Sequence, residues 1–489
     1  MAAREAPAEE EAAAEEEVAA VEDIAEEGEI EEENVPTDEE REQAEVNPFV
    51  LATEDNLSTF AMDVDTASYA SARNYITNGS LPYAGEVRVE EFVNYFDYNY
   101  PEPEQAVFGI SVDAAPSPWR SATGEDTQIV RVGLQGKHID DSERKDAILT
   151  FVIDISGSMS DWNRLPMVKQ ALTLLVDELR PTDQVAIVVY SDTTRAVLEP
   201  TSAEDRDAII EAIESLQVEG STNVEDGLRL GYEIAGNNYD VDAINRVILC
   251  SDGVANVGAT GPDAIRAVIR DYTAQGVLLS TIGFGMGNYN DYLMEQLADD
   301  GNGNYAYVDT LDEAQRIFVE NLTGMLQVIA SDAKIQVEFN PEVVYSYRLL
   351  GYENRDVADE DFRNDTVDAG EVGAGHSVTA LYEVVPTQQG QGTAMTVRIR
   401  YENMDTGEVE EVAQPLDSSD FGASFDEMSP HFQLAVAVAG FAEHLRGSGY
   451  VQGRSLEDVL AIAERIAPDL GNDNEVQEFV ELVRKATEI

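Results

Sequence analysis

From residue 147 to residue 324 two apolar patterns alternate along the chain. Short continuous apolar runs, AILTFVIDI, QVAIVVYS, RVILCSDG, VLLSTIGFG and NYAYV, have the length of strands buried on both faces. Between them lie segments with apolar residues at helical spacing: RLPMVKQALTLLVDEL, AEDRDAIIEAIESL, VEDGLRLGYEIAG, PDAIRAVIRDYTAQG, NDYLMEQLADD and LDEAQRIFVENL. This repeated alternation predicts an α/β unit over 147–324: a doubly wound, mostly parallel sheet with helices on both faces.

The flanks are patterned differently. In the 48–104 stretch, STFAMDVDTASYASARNYITNG reads as a strand and a helix, and RVEEFVNYFDYNYP as a second short helix. VFGISVDA and QIVRVGLQ, within 105–146, alternate like strands. So do AKIQVEF, VYSYRLLGY, SVTALYEVVP and AMTVRIRYE within 325–418, which predicts a β-rich sandwich module. The 105–146 strands are expected to pair with it, so that both flanks close around the α/β insert. Over 424–489, SPHFQLAVAVAGFAEHLRG, SLEDVLAIAERIA and NEVQEFVELVRKA read as three helices, the first two with serine N-cap candidates.

At 489 residues the chain is too long for one core. Its 97 acidic residues against 30 basic ones give a net charge of −67. Residues 1–45 hold 20 Asp and Glu against only Arg4 and Arg41, and like charges at i, i+4 oppose a helix there. A disordered acidic tail is expected over 1–47. The remainder still carries 77 acidic and 28 basic residues, which reads as a surface adapted to high salt. No basic patch is available for phosphates, so nucleic acid and anionic membranes are poor partners. No run of 18 apolar residues exists, and MAAREAPAEE has no apolar signal region. Cys250 is the only cysteine, which excludes an intramolecular disulfide and a thiolate metal cluster.

The candidate chemistry sits at strand ends. In an open α/β sheet ligands bind outside the carboxyl ends of the strands. Asp154, Ser156 and Ser158 follow the first run, Ser251-Asp252-Gly253 ends another, and the Gly220–Asn223 turn brings Thr222 to the same edge. Asp154, Ser156, Ser158, Thr222 and Asp252 are hard oxygen donors, which suit Mg²⁺ first and Mn²⁺ or Ca²⁺ next, and disfavour zinc. Five side chains leave one octahedral position open, and three of them are neutral, so the ion keeps much of its charge. A partner's Asp or Glu is the natural sixth ligand. Met159 and Tyr190 are the expected specificity residues around the crevice.

The pattern Asp154-x-Ser156-x-Ser158 with Thr222 and Ser251-Asp252-Gly253 resembles the metal-ion-dependent adhesion site of von Willebrand factor type A domains. The flanks, including RVEEFVNYFDYNYP and GFGMGNYNDYLMEQLADDGNGNYAYVD, resemble bacterial YfbK-type proteins over about residues 48–489. The adhesion-site pattern implies a non-enzymatic, cation-dependent adhesion or interaction protein, and the YfbK resemblance an extracytoplasmic one tethered by a lipid anchor lost from this chain. An assembly factor working with a partner ATPase is the alternative, and a metal-assisted hydrolase is disfavoured for want of a general base.

Other motifs have simpler readings. Asp63-x-Asp65-x-x-Ser68 reads as a strand-end turn with Asp65 or Thr66 capping a helix. Asp299–Asn304 reads as a tight loop, lacking the spacing of a calcium-binding loop. Ser142/Lys145 and Ser331/Lys334 match a Ser/Lys nucleophile spacing but read as polar connectors. His138, His376, His431 and His444 are too scattered for a zinc site, with His376 read as a turn or core residue. Cys250 reads as an inert core thiol.

Overall fold

The computed structural model describes residues 46–119, 127–253, 262–285, 291–388, 390–422, 424–451, 454–471 and 473–489. The acidic tail, up to residue 45, lies outside the described residues. Asn47 is already tied down: its side chain donates to the Gly351 carbonyl at 2.8 Å.

The chain begins with short strands β1 (Val50–Leu51) and β2 (Leu57–Ala61), then helices α1 (Ala67–Thr77) and α2 (Val89–Asn94). Strands β3 (Phe108–Pro116) and β4 (Gln128–Gly136) follow. The α/β unit runs β5 (Ala147–Asp154), α3 (Leu165–Glu178), β6 (Gln184–Tyr190), β7 (Thr194–Ser202), α4 (Arg206–Ser215), α5 (Val224–Asn237) and β8 (Ile244–Ser251). It continues through α6 (Pro262–Thr273), β9 (Leu278–Phe284), α7 (Asp291–Asp300), β10 (Tyr305–Val308), α8 (Leu311–Gln315) and α9 (Leu322–Leu326).

Its six strands lie in the order β10-β9-β8-β5-β6-β7. All neighbours are parallel except the β6/β7 pair. The chain steps from β5 to β6 on one side and reaches β8 on the other, so the strand order reverses at β5. That reversal opens a crevice at the carboxyl end of β5. Every residue of β5 is buried, because helices cover both faces of the sheet. Leu149, Phe151 and Ile153 pack with α3, α4 and the α8–α9 segment, while Val152 packs on the other face with α5, α6 and α7. Helix α5 lies close to the sheet because position 231 is glycine: a Cβ there would overlap the Cγ2 methyl of Val152. Cys250 is fully buried in β8, and burial raises its thiol pKa, so it is an inert core thiol.

Beyond this unit come β11 (Val328–Phe339), β12 (Val344–Leu350), β13 (Gly370–Gly373), β14 (Ser377–Pro386), β15 (Thr393–Asn403) and β16 (Glu408–Asp417). They form two antiparallel sheets, β1-β12-β14-β4-β3 and β13-β11-β15-β16, with β2 also pairing β11. Val130, Val132, Tyr382 and Val384 of one sheet share a core with Ile335, Val337, Val397 and Ile399 of the other, which makes a sandwich. Strand β4 pairs with β14 in the register Val132↔Ala380, across the whole α/β unit.

Helices α10 (Pro430–Leu445), α11 (Leu456–Ile466) and α12 (Asn474–Glu488) share a core with Tyr69, Phe92 and Phe96 of the N-terminal region. Ser429 and Ser455 cap α10 and α11, accepting from the Phe432 and Asp458 amides. Among the described residues, no helix is long and apolar enough to cross a membrane.

Several local readings need correction. Neither Asp65 nor Thr66 caps α1 through its side chain. The strand-end turn is present, the Asp65 amide donating to Asp63 Oδ1 at 2.9 Å. But Asp65 accepts from the Tyr305 amide of β10 at 3.0 Å and Asp63 pairs with Arg355 beyond β12 at 3.1 Å, so the motif ties this turn to both the α/β unit and the β-rich module. Ser331 and Lys334 lie within β11, not in a connector, and the Lys334 ammonium donates to the Asn364 carbonyl at 2.9 Å. The tight loop expected before β10 is present, closed by the Asn302 amide on the Asp299 carbonyl at 3.1 Å, with Asp299 paired to Arg355 and Asp300 to Arg266 and Arg270.

Candidate metal centre

Strand β5 ends where its hydrogen-bonding pattern gives way to a side-chain turn. The Asp154 Oδ1 accepts from the Ser156 amide at 2.8 Å, an Asx-type contact that ends the strand. A single 3-10 turn over Gly157–Ser160 follows. It brings the Ser156 and Ser158 hydroxyls 3.1 Å apart. From the neighbouring strand end, the Ser251 hydroxyl donates to Asp154 Oδ2 at 3.3 Å. Asp252 follows in the chain. Asp154, Ser156 and Asp252 are almost fully buried, while Ser158 is half-buried at the crevice.

Thr222 arrives on a separate loop. The Gly157 amide donates to the Gly220 carbonyl at 3.0 Å, and the Glu219 amide to the Ile155 carbonyl at 2.6 Å, so this loop is laced to the serine turn. Gly220 has φ +58°, and a Cβ there would collide with the Asp192 carboxylate. Asp192 in turn accepts from the Ser221 amide. Thr222 is half-buried one residue before Asn223, which caps α5 by accepting from the Asp226 amide. The structure thus brings Asp154, Ser156, Ser158 and Asp252 to one edge and sets Thr222 on the adjoining loop.

One residue at this site carries no motif signal in the sequence. The Arg164 Nη1 donates to Asp252 Oδ2 at 2.8 Å and to the Ser158 carbonyl at 2.6 Å. This guanidinium joins the two loops that carry the donors. Arg164 directly precedes α3 and has no periodicity to mark it, so only tertiary contact reveals it.

The electrostatics favour a cation. Burial pushes the Asp154 carboxyl up to about 6, and the Asp252 charge adds to that rise. A buried carboxylate beside a second one is a site where bound positive charge is stabilising. Two carboxylates with convergent hydroxyls match the hard-donor chemistry of Mg²⁺, Mn²⁺ or Ca²⁺, so the residues present fit such an ion. Among the described residues, no cluster of three or more His, Cys, Asp or Glu could hold a metal, so any ion here relies on the hydroxyls. A cavity of about 360 Å³ lies elsewhere, between Asp65, Tyr95, Tyr305, Arg316 and His376, and none of the five donors lines it.

The expected specificity residues are misplaced. Met159 and Tyr190 are both fully buried, Met159 in the core under α3 and Tyr190 in the core under α5. Neither can touch a partner. The exposed apolar side chains on these loops are instead Trp162 and Val218.

Residues 149–320 match the family description "von Willebrand factor type A domain", and residues 35–130 match "von Willebrand factor". Residues 324–394 and 388–489 match "Uncharacterized protein YfbK, C-terminal". The uncharacterized protein YfbK of Escherichia coli K12 is 36% identical over 453 residues, covering 87% of this chain and 77% of that protein. Inter-alpha-trypsin inhibitor heavy chain H4 of Homo sapiens is 29% identical over 163 residues, covering 32% of this chain but only 17% of that protein. A solved von Willebrand factor type A protein from Catenulispora acidiphila aligns with a TM-score of 0.44 at 15% identity, covering 76% of this chain and 89% of that one. With more than a third of positions identical over most of both sequences, the chain belongs to the YfbK family of von Willebrand factor type A domain proteins.

Proposed function

We propose that the chain is a non-enzymatic protein-binding module whose grip on its partner depends on a divalent cation. Asp154, Ser156, Ser158, Thr222 and Asp252 would hold the ion, with Mg²⁺ the first candidate and Mn²⁺ or Ca²⁺ next. The observation that carries this reading is a charge count at one strand edge. Two carboxylates and the Arg164 guanidinium leave one net negative charge there. A bound divalent ion would turn this into one net positive charge and supply a short, strong attraction for an external carboxylate. A partner Asp or Glu is therefore the fitting ligand. Asp154 and Asp252 are both committed to holding charge, which leaves neither as a general base.

Each residue has a distinct part. Asp154 is oriented by the Ser156 amide and the Ser251 hydroxyl, so its carboxylate cannot turn away. Arg164 fixes Asp252 against the serine turn. The test is capture of the full chain on beads displaying a Gly/Ser peptide with one Asp, against the same peptide with Asn. The Asp beads should retain wild type in Mg²⁺, Mn²⁺ or Ca²⁺, lose it in EDTA, and fail to retain Ser156→Ala/Ser158→Ala. Equal capture in EDTA, or on the Asn beads, would remove the reading.

A further inference from the structure

We propose that the carboxylate taken at this site belongs to an Asp or Glu with a Lys or Arg beside it, the basic side chain lying over the Trp162 ring and against Asp161 and Asp192. This inference rests on the cation-dependent reading of the site and adds the chemistry of its partner.

The first observation is Trp162. It is 74% exposed, although it is the largest apolar side chain on the loops that carry the donors. It is also held in place. The Arg164 amide donates to the Asp161 carbonyl at 3.1 Å, closing a tight turn with Trp162 at its first central position. The residue that closes this turn grips Ser158 and Asp252. The indole therefore projects from a backbone turn that is clamped to the site itself. Exposed tryptophan in such a setting is the side chain most often responsible for binding energy at interfaces.

The second observation is charge. Asp161 and Asp192 are exposed on the two loops that flank the donors. Asp192 accepts from the Ser221 amide, one residue from Thr222, which holds its carboxyl below the usual carboxylate range and keeps it charged. Glu219 adjoins them but is already paired with Arg195 at 2.9 Å. Outside its first 45 residues the chain has 77 acidic and 28 basic residues, so a lone partner carboxylate meets repulsion on approach. A neighbouring ammonium or guanidinium cancels that repulsion within a Debye length of about 8 Å. It also finds an exposed tryptophan face on the loop that carries Asp161, with Asp192 on the opposite flanking loop.

Chain length sets the spacing. Trp162 lies four residues beyond Ser158, so their Cα atoms are at most about 14 Å apart. An extended partner strand covers that in about four residues. The basic residue therefore sits within about four positions of the acidic one.

The experiment displays four nine-residue Gly/Ser peptides on beads: Asp alone, Asp with Arg two positions on, Asp with Leu there, and Arg alone. The full chain is titrated against each in Mg²⁺ and in EDTA, as wild type, Trp162→Ala and Asp161→Asn. Both substitutions fall on exposed side chains, and unchanged melting confirms that the variants are folded. The Asp-Arg peptide should bind wild type about tenfold more tightly than Asp alone in Mg²⁺. Trp162→Ala should bring it close to the Asp-alone level, and Asp161→Asn should reduce it about two- to threefold, with Asp-alone binding unchanged. A Leu peptide equal to the Arg peptide would overturn the proposal in favour of an apolar neighbour. An Arg-alone peptide that binds as well in EDTA would reduce the effect to bulk charge, which also overturns it. If Asp alone binds in Mg²⁺ but Arg adds nothing, this inference fails and the site reading stands. If no peptide binds in Mg²⁺, the site reading fails with it.

Discussion

Asp154→Asn separates the electrostatic account of the site from any purely structural one. In the metal-free protein the folded carboxyl titrates at about 6 against an unfolded value near 3.8, because burial penalises its charge. A carboxyl that holds its proton more tightly when folded stabilises the fold fully below the unfolded value. That stability is lost as pH rises from about 4 to about 6. Two pH units at 1.36 kcal/mol each give a loss of up to about 3 kcal/mol, complete by pH 8. Asparagine keeps the Oδ1 acceptor for the Ser156 amide and carries no charge, so the variant should escape this loss. In EDTA at pH 8 it should melt higher than wild type by roughly 3 °C. Added Mg²⁺ favours the ionised form and should reverse the order: wild type rises, and the variant does not. The assay is a set of thermal melts from pH 4.5 to 8.5 in EDTA and in Mg²⁺, with the wild-type metal effect growing through pH 6. A variant that melts below wild type in EDTA at pH 8, with the same pH dependence, would refute the reasoning.

Three further outcomes follow from particular contacts. Arg164→Met removes the ion pair to the buried Asp252 and should lower stability by about 3 kcal/mol in EDTA, partly restored by Mg²⁺, as denaturant titrations in the two buffers would show. Gly231→Ala forces a methyl into Val152 beneath α5 and should cost about 1–3 kcal/mol in the same titration, independent of metal. The net charge of −67 should make the melting temperature climb between 0.1 and 2 M NaCl, whereas an uncharged cosolute such as sucrose at equal osmolality should reproduce only part of the rise.

The α/β unit was legible because each of its buried strands is a continuous apolar run. Residues such as Phe151 and Val152 face opposite helical layers, and the few polar positions within these strands, such as Thr150 and Thr281, are buried with them. The strands that escaped reading are β1, β7, β13 and β16. Strand β7 is an edge strand, half-exposed along its length, and β16 is an edge strand rich in Glu, so neither shows an apolar signature. Strands β1 and β13 are too short for periodicity to register.

At the site, the sequence by itself determined the donor chemistry. Asp154, Ser156 and Ser158 alternate along one stretch, and local backbone hydrogen bonding turns that alternation into a converging set. What lies beside them depended on contacts between residues far apart in the chain. Arg164 reaches Asp252 across 88 positions, and Asp192 holds the Ser221 amide across 29. Met159 follows β5 and Tyr190 ends β6, yet both turn into the core, while Trp162 turns out. Composition fixes which side chains can bind a cation; only the closing of loops from separate strands decides which of their neighbours face solvent.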